Sequence, residues 1–250
     1  MLKSEPASQK DLKNDMLYIV PTPIGNLKDI TLRALEVLQT VDGIICEDTR
    51  RTSLLLNHYS IKKRLLVLND YSEAKVFPQI AERLKEGENL ALVSDAGTPL
   101  VSDPGYKLVR ECIKQNIPVD SLPGPSSILP ALALSGLPPD KFMFLGYLPE
   151  KPGHRLKLLR KLSAIHQLLP TTYIIFAAPH KLLRSITDIK EVFGDIEIVL
   201  AKELTKIHQS VKGGKISKWM EQLKKPKGEY VLLFNIHTNK TAKFTKTKAN

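Results

Sequence analysis

The chain has 250 residues, 42% of them hydrophobic, with 37 lysines and arginines against 26 acids and a net charge of +11. That length supports one large α/β domain or two small ones whose core needs neither disulfide nor metal. The two cysteines, Cys46 and Cys112, sit far apart on apolar runs and read as buried thiols. The absence of a signal peptide and of an apolar run of about 18 residues argues against a secreted or membrane-spanning protein and leads us to expect a soluble, cytoplasmic one. The basic surplus favours a polyanionic partner, nucleic acid first and anionic membrane second.

Residues 1–15 mix charges without apolar period and are expected to form a disordered leader. A short apolar strand at 17–20 runs into the turn-rich loop Pro21-Thr-Pro-Ile-Gly-Asn26. An amphipathic helix follows, capped near Asp29 or Thr31, with Leu32, Leu35, Leu38 and Val41 at helical spacing. A strand at 43–46 ends in Glu47-Asp-Thr-Arg-Arg51, and a short helix through 54–56 leads to a strand at 65–68. A helix from 72 to 85 closes on Gly87. The strand at 90–93 and a long loop then lead to a helix with Asp103 as N-cap, Pro104 at the first helical position and a stripe of Leu108, Val109 and Ile113. A strand around 119–122 completes the first half. Strand and helix alternate, which predicts a mostly parallel sheet with helices on both faces.

The turn Leu122-Pro-Gly-Pro-Ser-Ser127 introduces a small apolar helix, 128–134, stopped by Gly136 and Pro138-Pro139. We place the domain junction at this turn, giving α/β domains at 16–122 and 123–238. The second half reads as a strand at 142–148, a basic helix at 150–169, a β-rich run at 172–177, a helix at 180–193 ended by Gly194, and a strand at 196–200. The pair Gly213-Gly214 suggests a hairpin-like turn and some antiparallel pairing, before a helix at 216–223 and a last strand at 229–236. Residues 239–250, with Lys240, Lys243, Lys246 and Lys248 unopposed, are expected to be a mobile basic tail that samples RNA.

The most informative stretch is Ser94-Asp-Ala-Gly-Thr-Pro99. Ser94, Asp95, Gly97 and Thr98 offer backbone amides, carbonyls and short polar side chains at the carboxyl end of a strand, with little bulk to keep a ligand away. The chain has no Walker phosphate loop, no G-x-G-x-x-G fingerprint, no G-x-S-x-G elbow and no Cys/His cluster with metal spacing. What remains is a set of loops after successive strands, at 21–26, 47–51, 69–73, 94–99 and 123–127. In an open parallel sheet these share one edge and line one crevice. The small loops suit a nucleoside cofactor; Arg50 and Arg51 suit a phosphodiester partner. Glu47 and Asp48 beside those arginines fit either an internal ion-pair network or an acid/base role.

Five stretches carry a family resemblance: 17–35, Cys-Glu-Asp-Thr-Arg at 46–50, the loop at 94–105, Leu-Pro-Gly-Pro-Ser at 122–126 and Ser-Gly-Leu-Pro at 135–138. Together they resemble the ribosomal RNA small subunit methyltransferase I family of the tetrapyrrole methylase superfamily, over residues 17–236. The resemblance implies two α/β domains per chain, S-adenosylmethionine in the cleft between them, and a homodimer. It implies methylation of the ribose 2′-hydroxyl of a cytidine in the decoding region of 16S rRNA. By position, Pro23 borders the cofactor, Asp95, Gly97 and Thr98 wrap it, Ser126 and Ser127 meet its amino-acid or adenine end, and Ala177 contributes from the second domain. No metal is implied.

Two departures stand out. The family pattern His-Glu-His-Asn-Glu is replaced by Asn69-Asp-Tyr-Ser-Glu73, and Tyr-Glu-Ser-Pro-His-Arg by Phe176-Ala-Ala-Pro-His-Lys181. Both changes remove ionisable groups near the expected cleft. Asp48 and Glu73 remain as candidate bases for a ribose hydroxyl, with Glu203 a further candidate from the second domain. Two alternatives stay open: the same fold methylating a tetrapyrrole or a modified histidine, and a non-catalytic module that holds cofactor and RNA during ribosome assembly.

Overall fold

The computed structural model describes residues 15–69 and 73–236. The expected basic tail, the leader apart from Asp15, and the middle of the 69–73 loop lie outside the described residues. The chain divides into two units between Ser126 and Ser127.

The first unit carries strands β1 (Leu17–Ile19), β2 (Gly43–Cys46), β3 (Arg64–Val67), β4 (Leu90–Leu92) and β5 (Val119–Ser121). All pairings are parallel and the order is β3-β2-β4-β1-β5. β1, β2 and β4 are buried at every residue, which is why they read as unbroken apolar runs rather than alternating ones. Their side chains still alternate between two cores. Tyr18, Val20, Ile44, Cys46, Ala91 and Val93 meet helices α1 (Leu32–Thr40) and α2 (Thr49–His58). Leu17, Ile45, Leu90 and Leu92 meet α3 (Glu73–Lys85) and α4 (Tyr106–Lys114) on the other face. Burial pushes both thiols up, Cys112 to about 11, as befits core residues rather than nucleophiles.

Helix starts are set by specific acceptors. The Thr31 hydroxyl accepts the Ala34 amide at 3.1 Å and opens α1. Helix α4 differs from the sequence expectation: it begins at Tyr106, with Gly105 and not Asp103 at the N-cap, and makes no local side-chain cap bond. Gly105 has φ +121°, and a Cβ there would lie 2.7 Å from Leu92 Cδ2, so the chain crosses the sheet too closely for any side chain. The missing cap comes from 35 residues away, where Glu73 Oε1 accepts the Leu108 amide at 2.7 Å.

The second unit is built on a mixed sheet of order β6-β7-β10-β8-β9. Its strands are β6 (Phe142–Tyr147), β7 (Thr172–Ala177), β8 (Glu197–Lys202), β9 (Ser210–Lys215) and β10 (Tyr230–Phe234). β6 and β7 pair in parallel and the rest antiparallel. Helix α5 (Ile128–Ser135) lies against β8, β9 and β10. Helices α6 (Pro152–Leu168), α7 (Pro179–Phe193) and α8 (Ile216–Gln222) cover a core that includes Leu159, Leu162, Leu182, Ile186, Tyr173, Leu232 and Phe234. Gly213 and Gly214 are not a turn but part of edge strand β9, where Gly214 lies beside the Trp219 indole. The turn lies at 203–209, and its left-handed positions are taken by Glu203 and Thr205, at φ +49° and +66°.

Candidate functional site

The loops that follow β1, β4 and β5 are stitched together at the carboxyl edge of the parallel sheet. Thr22 and Gly97 exchange two backbone hydrogen bonds, each 2.9 Å. The Thr22 hydroxyl donates to the Ser94 carbonyl at 2.9 Å and the Ser94 hydroxyl to the Gly97 carbonyl at 3.2 Å. The Thr98 hydroxyl donates to the Pro125 carbonyl at 3.1 Å. Gly97 has φ +87°, and a Cβ on Gly124 would fall 2.7 Å from Pro21 Cβ. The small residues of the three loops are therefore required by their mutual closeness, and their hydroxyls are spent on holding the loops to one another.

β1 and β2 continue into helices on one face and β4 into a helix on the other, so the loops part at this edge and leave a crevice. Its volume is about 270 Å³. Thr22, Pro23, Thr52, Ser94, Asp95 and Arg51 line it, with an apolar wall of Leu27, Leu54 and Leu55. Pro23, Asp95 and Arg51, picked out separately in the sequence, thus share one cavity. Thr52, Leu54 and Leu55 were missed as site residues because the helix that carries them starts at Thr49; Asp48 as an N-cap was the signal that could have extended it.

Asp95 is the electrostatic centre of this crevice. Its Oδ2 stands 3.4 Å from Arg51 Nη1. Its Oδ1 is shielded from solvent and has no hydrogen-bond partner among the described residues. A buried acceptor left this way costs about 1–3 kcal/mol, which a ligand donor would recover. Asp48, by contrast, is fully engaged. Its carboxylate accepts Arg50 N at 2.9 Å, Nε at 3.0 Å and Nη2 at 2.7 Å. Those bonds, the side-chain ones first, hold its pKa down to about 2. The Arg50 side chain stays 86% exposed and that of Arg51 63%.

The other predicted residues are distributed differently. Glu73 is buried, and its carboxylate caps α4 and does not line the crevice. Glu203 Oε1 accepts the Glu229 amide at 2.7 Å and Lys206 Nζ at 3.2 Å, and the Glu229 bond chiefly lowers its pKa; it clasps the ends of β8 and β10. Ser126 follows the Pro125 contact in the first unit. Ser127 opens α5 in the second unit without a side-chain cap bond, and Ala177 closes β7 there, beside a small recess edged by Tyr147, Ala178, Lys181 and Arg184.

Charge is divided unevenly. Residues 127–236 hold 17 lysines and arginines against 9 acids, whereas residues 15–69 and 73–126 hold 13 against 14. The basic surplus of the described residues therefore belongs to the second unit. Among the described residues no group of three His, Cys, Asp or Glu side chains is placed to hold a metal ion, and no helix is long and apolar enough to cross a membrane.

Comparison with known proteins agrees with this architecture. The family described as Tetrapyrrole (Corrin/Porphyrin) Methylases matches residues 16–219. The ribosomal RNA small subunit methyltransferase I of Thermotoga maritima is 47% identical over 221 residues, 88% of this chain and 97% of that protein. Its Escherichia coli O157:H7 counterpart is 47% identical over 232 residues, 91% of this chain and 80% of that protein. A crystal structure of diphthine synthase superposes with a TM-score of 0.66 at 18% identity, covering 88% of this chain and 89% of that one. A uroporphyrin-III-C-methyltransferase from Thermus thermophilus does so at 0.59 and 19%, covering 89% and 95%; these two speak for the fold alone. The chain belongs to the tetrapyrrole methylase family, in the group of proteins named ribosomal RNA small subunit methyltransferase I.

Proposed function

We propose that this chain transfers a methyl group from S-adenosylmethionine to small-subunit ribosomal RNA, at the ribose 2′-hydroxyl of a cytidine in 16S rRNA. The observation that carries the reading is the stitched loop edge with its unpartnered Asp95 oxygen, in a chain of this kinship. The residues fit the cofactor: the shielded Asp95 Oδ1 wants a hydrogen-bond donor, and glycines keep side chains out of the edge. Pro23, Asp95, Gly97 and Thr98 would hold it, and by family resemblance Ser126, Ser127 and Ala177 are assigned to it as well. When bound, S-adenosylmethionine supplies an electrophilic sulfonium methyl and a neutral leaving group that needs no acid.

The work left to the protein is chiefly orientation. Correct placement of two reactants is worth roughly 7–11 kcal/mol, against a typical 10²–10⁴-fold from a general base. The two candidate carboxylates do not alter that ranking. Asp48, at about 2, is a poor proton acceptor near neutral pH and is occupied in aligning Arg50. Glu73 is committed to the Leu108 amide. Arg50 and Arg51, exposed beside the crevice, are assigned to backbone phosphates of the RNA. The same reading expects a homodimer acting in the cytoplasm.

The test is transfer of labelled methyl to free 16S rRNA and to assembled small subunits, followed by mass-spectrometric mapping, with Asp95→Ala as control. A 2′-O-methylcytidine that disappears in the control is the expected product. Label on neither substrate with cofactor bound, or label on a base, would overturn the proposal.

A further inference from the structure

We infer that the corner where β6 and β7 end is a docking site for an unstacked nucleobase of single-stranded RNA, with Tyr147 as its stacking surface and Arg184 as its phosphate contact. The inference deepens the RNA reading above and rests on it.

Tyr147 is the last residue of β6, and 58% of it is exposed. A backbone irregularity accompanies this position. The β6–β7 register runs regularly from Phe142↔Thr172 to Phe144↔Ile174, then jumps to Tyr147↔Phe176, with an extra β6 residue in between. Gly146, at φ +63°, supplies the left-handed step. The ring is braced behind. It stands edge-on to Phe176 at 5.6 Å and 62°, and Phe176 stands edge-on to Phe144 at 4.8 Å and 67°. An aromatic ring held in one attitude and left open to solvent is what a stacking platform needs.

Its surroundings supply the rest. Ala177 and Ala178 add no bulk beside it, and the recess between them and Tyr147 is about 20 Å³, too small to admit a base. A base therefore lies on the ring, not behind it. α7 projects Lys181 and Arg184 from adjacent turns to the same recess. Lys181 is paired with Glu150, whose carboxyl also feels the charge of Arg184 at longer range. Arg184 is exposed and has no carboxylate within salt-bridge distance among the described residues. One exposed ring plus one exposed guanidinium, on the unit that carries the basic surplus, matches a base with its phosphate.

The test uses the full chain and a 12-residue mixed-sequence single-stranded RNA carrying 2-aminopurine, beside an abasic oligonucleotide of equal length. Tyr147→Phe keeps the platform and should bind within about twofold of wild type. Tyr147→Ala should weaken RNA binding by about 5- to 150-fold and abolish 2-aminopurine quenching, while leaving abasic binding unchanged. Arg184→Ala should weaken both probes and reduce the salt slope by about 0.7. Tyr147→Ala binding RNA like wild type, losing abasic binding equally, or changing the oligomeric state with RNA binding intact would each overturn the site; the last would make this corner a contact between chains. The two readings fail separately. Wild-type quenching without methyl transfer sinks the enzymatic reading, and Tyr147→Ala with a wild-type KM for RNA sinks this one.

Discussion

Replacing Glu73 with alanine strips the Leu108 amide of its acceptor at a buried helix start. The bond is 2.7 Å long, Glu73 is 2% exposed, and the helix has no local side-chain cap to take over. Loss of an N-cap costs about 0.5–2 kcal/mol, and an unsatisfied buried amide about 1–3 kcal/mol. These overlap, and we expect a loss of about 2–3 kcal/mol, or roughly 5–10 °C in Tm. Glu73→Gln keeps an oxygen in the same place and should lose less than about 1 kcal/mol. Urea titrations of both variants measure this, with methyl transfer at saturating substrates recorded alongside. Because Glu73 is assigned to structure, Glu73→Gln should retain kcat. A glutamine variant as stable as wild type but inactive would refute the reasoning and return Glu73 to the role of proton acceptor. So would an alanine variant destabilised by less than about 0.5 kcal/mol.

Asp95→Ala should separate stability from binding: it removes one oxygen without a hydrogen-bond partner among the described residues and one long, partly exposed ion pair with Arg51, which leaves Tm within about 2 °C of wild type, while calorimetric affinity for S-adenosylmethionine falls by at least about tenfold. Equal affinity in the variant would remove Asp95 from the cofactor site. Asp48 makes a pH prediction. Its folded pKa, about 2, lies below the ordinary 3.8, so its stabilising effect is complete above about pH 4 and drains away as pH falls toward 2. Stability curves of wild type and Asp48→Asn should converge across that window, and the rate of methyl transfer between pH 6 and 8 should show no titration assignable to Asp48.

Much of the fold could be read from residue patterns. The apolar runs at 17–20, 43–46 and 90–93 declared strands buried on both faces, and Thr31 marked a helix start because its hydroxyl has a local amide to accept. The reading failed where partners are distant or glycine misleads. Asp103 looked like a cap, yet the chain at Gly105 lies so close to Leu92 that the helix starts later and borrows Glu73. Gly213-Gly214 looked like a turn, but those glycines are paired within edge strand β9 while Glu203 and Thr205 bend the chain. At the site, residue types alone suggested that the loops share an edge. The meeting of Asp95 with Arg51 was beyond them, since it depends on β4 lying directly beside β2, and no strand pattern encodes that neighbour.

The knot of hydroxyls and amides at the sheet edge draws on residues spread over most of a unit: Thr22 just past the first strand, Gly97 past the fourth, Pro125 past the fifth. A chain cut between Gly97 and Pro125 keeps the bonds among Thr22, Ser94 and Gly97 but loses the Thr98–Pro125 tie, so the complete junction needs the chain from the first strand through the loop after the fifth.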